Sequence, residues 1–228
     1  MECVARRWLG AVALATMTMT CFVHVAVASN MGFKCNKQIV KGINLVAFPF
    51  NTPTKTAADV CAVFGKYTPG ALSTTMTVQM YTGNTPPTDS ILSFSCNQVT
   101  AGFNIRPDVG LGVRIIETGG TLNGIIVGAH IDNSVTITDA GSSPHGTIIY
   151  GYPYHTSDFA ARDICQEAGL STTPSQSPTL IRYGSAGAVD GAYTCDQTAI
   201  TGYVLRLCEG VLISGEGNGP KTWIPLHH

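Results

Sequence analysis

Few side chains in this sequence have the types and spacing that catalysis requires. His155 and Asp158 lie close together in HTSD, and a serine such as Ser157 or Ser175 would complete the composition of a hydrolase triad. No G-x-S-x-G motif supports a nucleophilic serine, and an aspartate at this point also suits the start of a helix. We therefore expect a loop histidine beside a helix-start aspartate, and no enzyme.

The other histidines are candidates for a metal site. His130, His227 and His228 follow equivalent predicted strands, and Asp132 or His145 could join them. A histidine at a strand end is more often a capping or interface residue, and no C-x-x-C or haem-attachment motif is present. The glutamates lack the paired spacing of a glycosidase, and the glycine runs lack the Lys-Ser/Thr of a phosphate-binding loop. The sequence therefore predicts no metal site, no cofactor and no catalytic residue.

The elements that would position these residues begin after a segment typical of a signal peptide. Arg6 and Arg7 precede an apolar stretch, and Ala26-Val27-Ala28 forms a small-x-small cleavage pattern, so we predict removal of residues 1–28 and a secreted, extracellular or cell-surface protein. The net charge is −1, and charged residues make up 12% of the chain, about half the usual share. This balance argues against nucleic acid as a partner and, after signal cleavage, against a membrane.

After that segment the chain contains an internal repeat. Residues 44–65 align without a gap on residues 148–169, at a shift of 104. SCNQ then falls on TCDQ, FNIRPDVGLGV on YVLRLCEGVLI, and IVGAH on WIPLH. Because self-similarity at a fixed period indicates a duplicated unit, we predict a first unit with its N-terminal strand at residues 29–140 and a second unit at residues 141–228.

Hydrophobic periodicity indicates what each unit contains. Apolar positions at helical spacing predict a helix over residues 54–65, and the second copy has the same pattern up to Gly169. Alternation predicts strands at residues 43–50, 75–81, 103–105, 111–116, 124–129, 134–138 and 179–183. The strands at 124–129 and 134–138 are expected to form a hairpin. The predicted fold class is mainly β (α+β), as two tandem homologous β-sandwich or barrel-like units, each with one short helix and a disulfide.

Cysteine positions predict three disulfides. An even number of cysteines in an exported chain indicates disulfide bonds, and six of the eight follow residue 28. Cys61 and Cys96 occupy the same repeat positions as Cys165 and Cys195, so the equivalent bonds Cys61–Cys96 and Cys165–Cys195 are expected. The two cysteines without repeat equivalents would form the third bond, within a chain or between subunits: Cys35 and Cys208.

The two copies differ at their ends. The first runs on into the predicted strand at residues 134–138, whereas the second stops, and residues 31–35 share the apolar alternation of residues 135–139. A spare strand would thus precede the first unit, and the second unit would lack one. Since open sheet edges need a partner, residues 30–35 would pair with residues 223–226 in the same chain or, head to tail, in the next subunit. The predicted self-association residues are Met31, Phe33, Cys35, Trp223, Ile224 and Leu226.

Several of these segments also carry a resemblance. NLVAFPFNTPTKTAADVC, FNIRPDVGLGV, GIIVGAHIDNSVTI and YPYHTSDFAARDIC resemble a loosely defined class of tandem β-repeat modules in secreted and surface proteins of environmental bacteria. The resemblance covers nearly all of the chain after residue 28, and it implies an exported structural or adhesive module without catalytic residues. The sequence departs from the pattern at Asp108-Val109-Gly110, where a Pro-Gly turn is usual, and at Cys208.

The sequence therefore predicts an exported structural protein that binds itself, forming an extracellular filament or surface layer by head-to-tail strand donation. The alternative is a monomeric adhesion or carbohydrate-binding module with surface glycans as partners. In that case aromatic residues on the strands would form a stacking platform, and the candidates are Tyr81, Tyr150, Tyr152, Tyr154, Tyr183 and Trp223. Cross-strand packing explains most of these aromatic residues equally well.

Overall fold

The computed structural model describes residues 32–49, 51–68, 71–73, 75–81, 91–107, 110–129, 135–137, 147–151, 159–184, 187–214 and 221–223. The predicted signal peptide, every histidine, Met31, Ile224 and Leu226 lie outside these ranges. The expectations that depend on those residues therefore stay predictions.

Within these ranges the chain is mainly β. The strands, in chain order, are β1 (Gly32–Ile39), β2 (Gly42–Val46), β3 (Tyr67–Thr68), β4 (Ala71–Leu72), β5 (Met76–Tyr81), β6 (Ile91–Ser95), β7 (Val113–Glu117), β8 (Leu122–Ala129), β9 (Val135–Ile137), β10 (Thr147–Gly151), β11 (Phe159–Ala160), β12 (Thr179–Tyr183), β13 (Val189–Thr194), β14 (Val204–Leu205), β15 (Gly210–Ser214) and β16 (Lys221–Trp223). The described helices are α1 (Ala57–Val63) and α2 (Ala161–Glu167). No helix in these ranges has the length and apolar character needed to cross a bilayer.

Two four-stranded antiparallel sheets form the frame of the molecule. The first has the strand order β2-β7-β5-β6 and the second has the order β10-β15-β12-β13. Alternating burial along β5 and β7 shows that one face of the first sheet lies against a core. The second sheet follows the order that a duplicated first sheet would give, while the duplication itself remains an inference from the sequence.

Each half of the chain contributes one short helix, and the two helices start differently. In α1, the Thr56 side chain accepts a hydrogen bond from the Asp59 backbone N–H at 3.2 Å, and the Asp59 carboxylate accepts one from the Thr56 N–H at 2.9 Å. This reciprocal pair is a capping box. In α2 the N-cap is Ala160, which has no side-chain oxygen to accept such a bond. The helix-start role expected of Asp158 concerns a residue outside the described ranges.

Three disulfides lie within the chain. Cys61 in α1 bonds Cys96 after β6, and Cys165 in α2 bonds Cys195 after β13, so each bond ties a helix to the end of a strand. The third bond joins the first and second halves of the chain across a sequence separation of 173: Cys35–Cys208. The first two pairs are those expected from the repeat, and the third joins the two cysteines without repeat equivalents. Together they indicate an oxidising environment.

Each four-stranded sheet has its own helix over one face. In the first half, α1 and the ribbon of β1 and β8 lie over the sheet, and the shared core includes Ile39, Val60, Val113, Ile115 and Ile126. In the second half, the core under α2 includes Ile164, Leu180, Tyr193, Leu205 and Trp223. Truncating one such buried aliphatic residue to alanine typically costs about 2–5 kcal/mol.

The opposite faces of the two sheets pack on each other. Leu45, Ile149 and Leu212 form a buried cluster between the sheets. The edge strands also exchange backbone contacts, since Val46 of β2 bridges to Glu209 and Tyr150 of β10 bridges to Leu111. The two halves therefore form one two-layered body.

The prediction that a spare strand precedes the first unit and that the second unit lacks a strand is wrong. β1 pairs with β8 over eight residue pairs, from Gly32 with Ala129 to Ile39 with Leu122. β9, expected to form a hairpin with the preceding strand, pairs instead with β16. β1 thus pairs with β8, the last strand before the second half begins. β9, which begins the second half, pairs with β16 at its end. Since both strands already have partners, residues 32–35 are not spare and residue 223 does not lack a neighbour; residues 30, 31 and 224–226 lie outside the described ranges.

Two of the predicted self-association residues are also buried. Cys35 is bonded to Cys208, and Trp223 is only 1% exposed. The Trp223 ring stacks on Phe159 with 6.3 Å between ring centroids, and its N–H donates to the Glu167 carboxylate at 3.2 Å. The tryptophan therefore belongs to the core of the second half rather than to a surface that a neighbour could reach.

Candidate functional site: a cationic groove between the two halves

A polar groove with a volume of about 760 Å³ lies where the two halves meet. One wall is β1 with the start of β2, and the other is formed by β12, β13 and the turn at residues 206–209. The charged side chains that line it are Lys34, Lys37, Arg182, Asp190, Arg206 and Glu209. We call this feature the cationic groove, because four of the six charged residues are basic.

Lys37 lies on the inner face of β1. Strand alternation places it on the same face as Cys35 and Ile39, which are both buried. Its ammonium group reaches the Glu209 carboxylate at 3.5 Å, and the Lys37 side chain is only 15% exposed. Burial lowers the pKa of Lys37 below its usual range, and the nearby Arg206 and Arg182 act in the same direction, while Glu209 opposes them.

The turn at residues 206–209 holds Glu209 in place. The Glu209 carboxylate accepts a hydrogen bond from the Arg206 N–H at 3.0 Å, and the Glu209 N–H donates to the Arg206 carbonyl at 3.0 Å. Cys208 has a φ of 63°, a left-handed conformation that residues other than glycine rarely adopt. Its bond to Cys35 fixes the turn against β1.

Arg182 is held by contacts on three sides. Its guanidinium donates to both oxygens of the Asp190 carboxylate, at 2.9 and 3.1 Å, and to the Val204 carbonyl at 2.7 Å. The same group lies 5.1 Å from the centroid of the Tyr203 ring. The hydrogen bond that Arg182 donates to Asp190 raises the pKa of Arg182, and burial raises the pKa of Tyr203. A register shift in the β12–β13 pairing at Arg182 and Tyr183 accompanies this arrangement.

A side-chain contact holds the turn of one wall, and a backbone contact beside that turn joins the two walls. The Asn44 side chain accepts from the Val40 N–H at 3.0 Å and donates to the Val40 carbonyl at 2.8 Å, which holds the turn between β1 and β2. Beside that turn, the Ile43 N–H donates to the Gly187 carbonyl of the second half at 3.0 Å. Gly42 has a φ of 111°, and a Cβ there would lie 2.8 Å from the Gly187 Cα. The close approach therefore requires glycine.

The groove concentrates positive charge in a chain that has little charge. The whole sequence has a net charge of −1, whereas four of the six charged residues that line the groove are basic. Asn36, Gln38 and Tyr183 are among the other residues of the lining. Such a surface can bind a polar ligand through charge and hydrogen bonds, and the described residues that line it include no nucleophile with an adjacent base.

Most residues singled out from the sequence do not meet at this groove. His155 and Asp158 lie outside the described ranges, as do the other histidines, and no group of metal-ligating side chains occurs within those ranges. Among the proposed stacking residues, Tyr150 and Trp223 are buried, and Tyr81 packs against the cluster between the sheets. Among the members of that set that the structure describes, Tyr183 lines the groove, and it packs against the same cluster as Tyr81.

The basic residues of the groove were missed by sequence reasoning. One signal was available, since Lys37 interrupts the apolar alternation of Cys35 and Ile39. A lysine on an inward-facing strand position needs a counter-charge. Its partner Glu209 follows 172 residues later, and no local pattern could have identified it.

Comparison with protein-family models, with curated proteins and with solved structures finds no match to this chain. The resemblance to secreted tandem β-repeat modules therefore stays a prediction. The function has to be inferred from the groove and from the compartment that the disulfides indicate.

Proposed function

We propose that this is an exported binding protein that attaches to surface glycans through the cationic groove while folded as a single chain. The observation that carries this proposal is the groove itself, a space of about 760 Å³ between two covalently linked walls. It corresponds to the adhesion or carbohydrate-binding alternative drawn from the sequence.

The chemistry of the lining supports a sugar ligand. Guanidinium and amide groups offer several hydrogen bonds in fixed planes, which suits a ligand rich in hydroxyl groups. Tyr183 also lines the groove and packs against the cluster between the sheets. Because the turn at residues 206–209 and Arg182 are already held by internal contacts, little ordering should be needed on binding.

Export is the second part of the proposal. Three intrachain disulfides are typical of proteins that fold in an oxidising compartment. Residues 1–28 supply a signal peptide in this proposal, as the sequence predicts. A protein stapled in this way would stay folded at a cell surface or outside the cell.

A glycan array tests the binding proposal directly. The disulfide-bonded protein would be applied beside two variants, Asn36→Trp, which places a bulky ring at the groove, and Gln98→Trp, which places it on an exposed loop elsewhere. We expect retention of a defined set of glycans by the unmodified protein and by Gln98→Trp, and loss of retention in Asn36→Trp. Absence of any retained glycan, or equal retention by all three proteins, would contradict the proposal.

Self-assembly is a second candidate, through a different route from the one expected. β1 and β8 form a separate two-stranded sheet that does not continue into the first four-stranded sheet. Exchange of β1 between two copies would preserve all of its pairing with β8, and Cys35–Cys208 would then form between chains. Disulfide-linked oligomers on a non-reducing gel would support this route, and a single-chain band after assembly at high concentration would contradict it.

A further inference from the structure

We propose that the glycan bound in the cationic groove is acidic, with carboxylate groups on its sugar units. This inference rests on the proposed function, and it names the chemical class of the ligand. It is drawn from the way in which the groove uses its own charges.

The two carboxylates of the groove are already engaged by the protein. Both oxygens of Asp190 accept from Arg182. One oxygen of Glu209 faces Lys37 and the other accepts from the Arg206 N–H. Glu209 joins the two walls and Asp190 holds Arg182 within one wall, so both carboxylates are poorly placed to bind a basic ligand.

The basic side chains outnumber those carboxylates. Lys34 is exposed at the rim of the groove, on the outward face of β1. Lys37 lies deeper, and its separation of 3.5 Å from Glu209 is long for a charged hydrogen bond. A second anion approaching Lys37 would therefore lower the cost of keeping its charge away from water.

An acidic sugar fits this surface better than a neutral one. A neutral glycan would cover the net positive charge of the groove without compensating it, and covering charge without compensation is costly. A carboxylate would supply that compensation and would match the planar guanidinium groups of the groove. The Asn36 amide would then bind the sugar hydroxyls.

Two polymers that share a backbone and differ only in their carboxylates show whether the carboxylate is needed for binding. Binding of the disulfide-bonded protein to polygalacturonate would be measured by calorimetry, beside the same polymer after methyl esterification of its carboxylates. We expect affinity for the acidic form at least about tenfold higher, falling as salt is raised. Panels of alginate and hyaluronan, with neutral glucans and mannans, would cover other backbones.

Charge variants locate the site. Lys34→Gln and Arg206→Gln both change exposed side chains that line the groove, so neither threatens the core. We expect the double variant to lose about tenfold or more in affinity for the acidic polymer. Lys55→Gln is the matched control, because it removes an exposed positive charge that does not line the groove, and we expect it to bind as the unmodified protein does.

The outcomes separate this inference from the proposed function. Equal binding of the acidic and esterified polymers, or binding of neutral or sulfated glycans alone, would overturn the carboxylate inference and leave glycan binding standing. Unchanged affinity in the double variant would overturn it as well, because the charge would then act elsewhere. If neither these polymers nor any glycan on the array is retained, both the proposed function and the inference fail.

Discussion

Lys37 and Glu209 form an ion pair between the first strand of the chain and the turn before β15, with 3.5 Å between the ammonium and carboxylate groups. Their side chains are 15% and 21% exposed, so water screens the pair only in part. Both residues lie next to the ends of the Cys35–Cys208 bond in the sequence. Charge and covalent bond thus hold β1 to the second half at the same place.

This arrangement predicts that the two partners are not equivalent. Glu209→Gln would leave the Lys37 charge partly buried near Arg182 and Arg206, and we expect a loss of about 1–3 kcal/mol in the free energy of unfolding. Lys37→Met removes that charge and keeps the apolar stem, so we expect a change within about 1 kcal/mol. Urea unfolding of both variants gives the comparison. A larger loss in Lys37→Met than in Glu209→Gln would contradict this account.

The lowered pKa of Lys37 predicts a dependence of stability on pH. Burial, the largest cause, lowers that pKa below the ordinary value of 10.5 in the folded protein. Between the two pKa values the unfolded chain binds more protons, so the contribution of Lys37 to stability rises with pH in that window. We expect the stability of the unmodified protein relative to Lys37→Met to increase as the pH is raised from neutral toward 10.5.

The comparison with Lys37→Met is needed because other groups titrate in the opposite sense. Burial raises the pKa of Tyr203 and of Tyr193, so their contribution to stability is present below a pH of about 10 and is lost above it. Taking the difference between two proteins that share both tyrosines removes that effect. A relative stability that falls with rising pH would contradict the assignment to Lys37.

The glycine contact between the halves predicts a localised loss of stability. In Gly42→Ala the new Cβ would lie 2.8 Å from the Gly187 Cα, and the φ of 111° would be strained for alanine. We expect a loss of about 1–3 kcal/mol in thermal or urea unfolding. Gly120→Ala is the control, since nothing lies within 4 Å of its Cβ position. Equal effects of the two substitutions would show that the contact with Gly187 is not tight.

The two helix starts predict a gain of stability from a single substitution. Asp163 lies three residues after the N-cap Ala160, as Asp59 lies three residues after Thr56. Ala160→Thr should therefore complete a capping box in α2 and raise the free energy of unfolding by about 0.5–1 kcal/mol. Thr56→Ala should lower it by about 1 kcal/mol. No gain from Ala160→Thr would mean that the two helix starts are not interchangeable.

Local patterns predicted several of the individual elements, although the strand expected at residues 103–105 is only an isolated bridge at Asn104. The strand expected at residues 75–81 is β5, one residue shorter, and the strand expected at 179–183 has the bounds of β12. The helix expected at 54–65 is α1, shortened because Thr56 serves as its N-cap and because Gly65 has a left-handed φ of 68°. Alternation and capping are local properties, so the sequence displays them directly.

The partners of the strands could not be predicted in the same way. The short segment between β8 and β9 favours a hairpin when only the sequence is read. In the folded chain β8 pairs with β1 and β9 with β16, strands that lie far away in sequence. Alternation shows which face of a strand is buried, but it does not identify the neighbouring strand.

The cationic groove depends on the same long-range information. Val46 and Tyr150 are equivalent positions of the repeat, and they pair with Val113 and Val211. The structural equivalent of Val113 is therefore Val211, whereas the match of 103–113 on 203–213 places Ile213 there. The turn before this strand is thus shorter in the second copy. That turn contains Cys208 and Glu209, which bond and contact β1 through Cys35 and Lys37. These partners lie 173 and 172 residues away in the sequence.

The central claim is that β1 is held within its own chain, and the mass of the intact protein tests it most directly. The protein would be purified without reductant, denatured, weighed by mass spectrometry and then digested to identify linked peptides. We expect the mass of one chain, less the hydrogens of three disulfides, and a peptide joining Cys35 to Cys208. Covalent multimers joined through Cys35 and Cys208, or a free Cys35 thiol, would contradict the account.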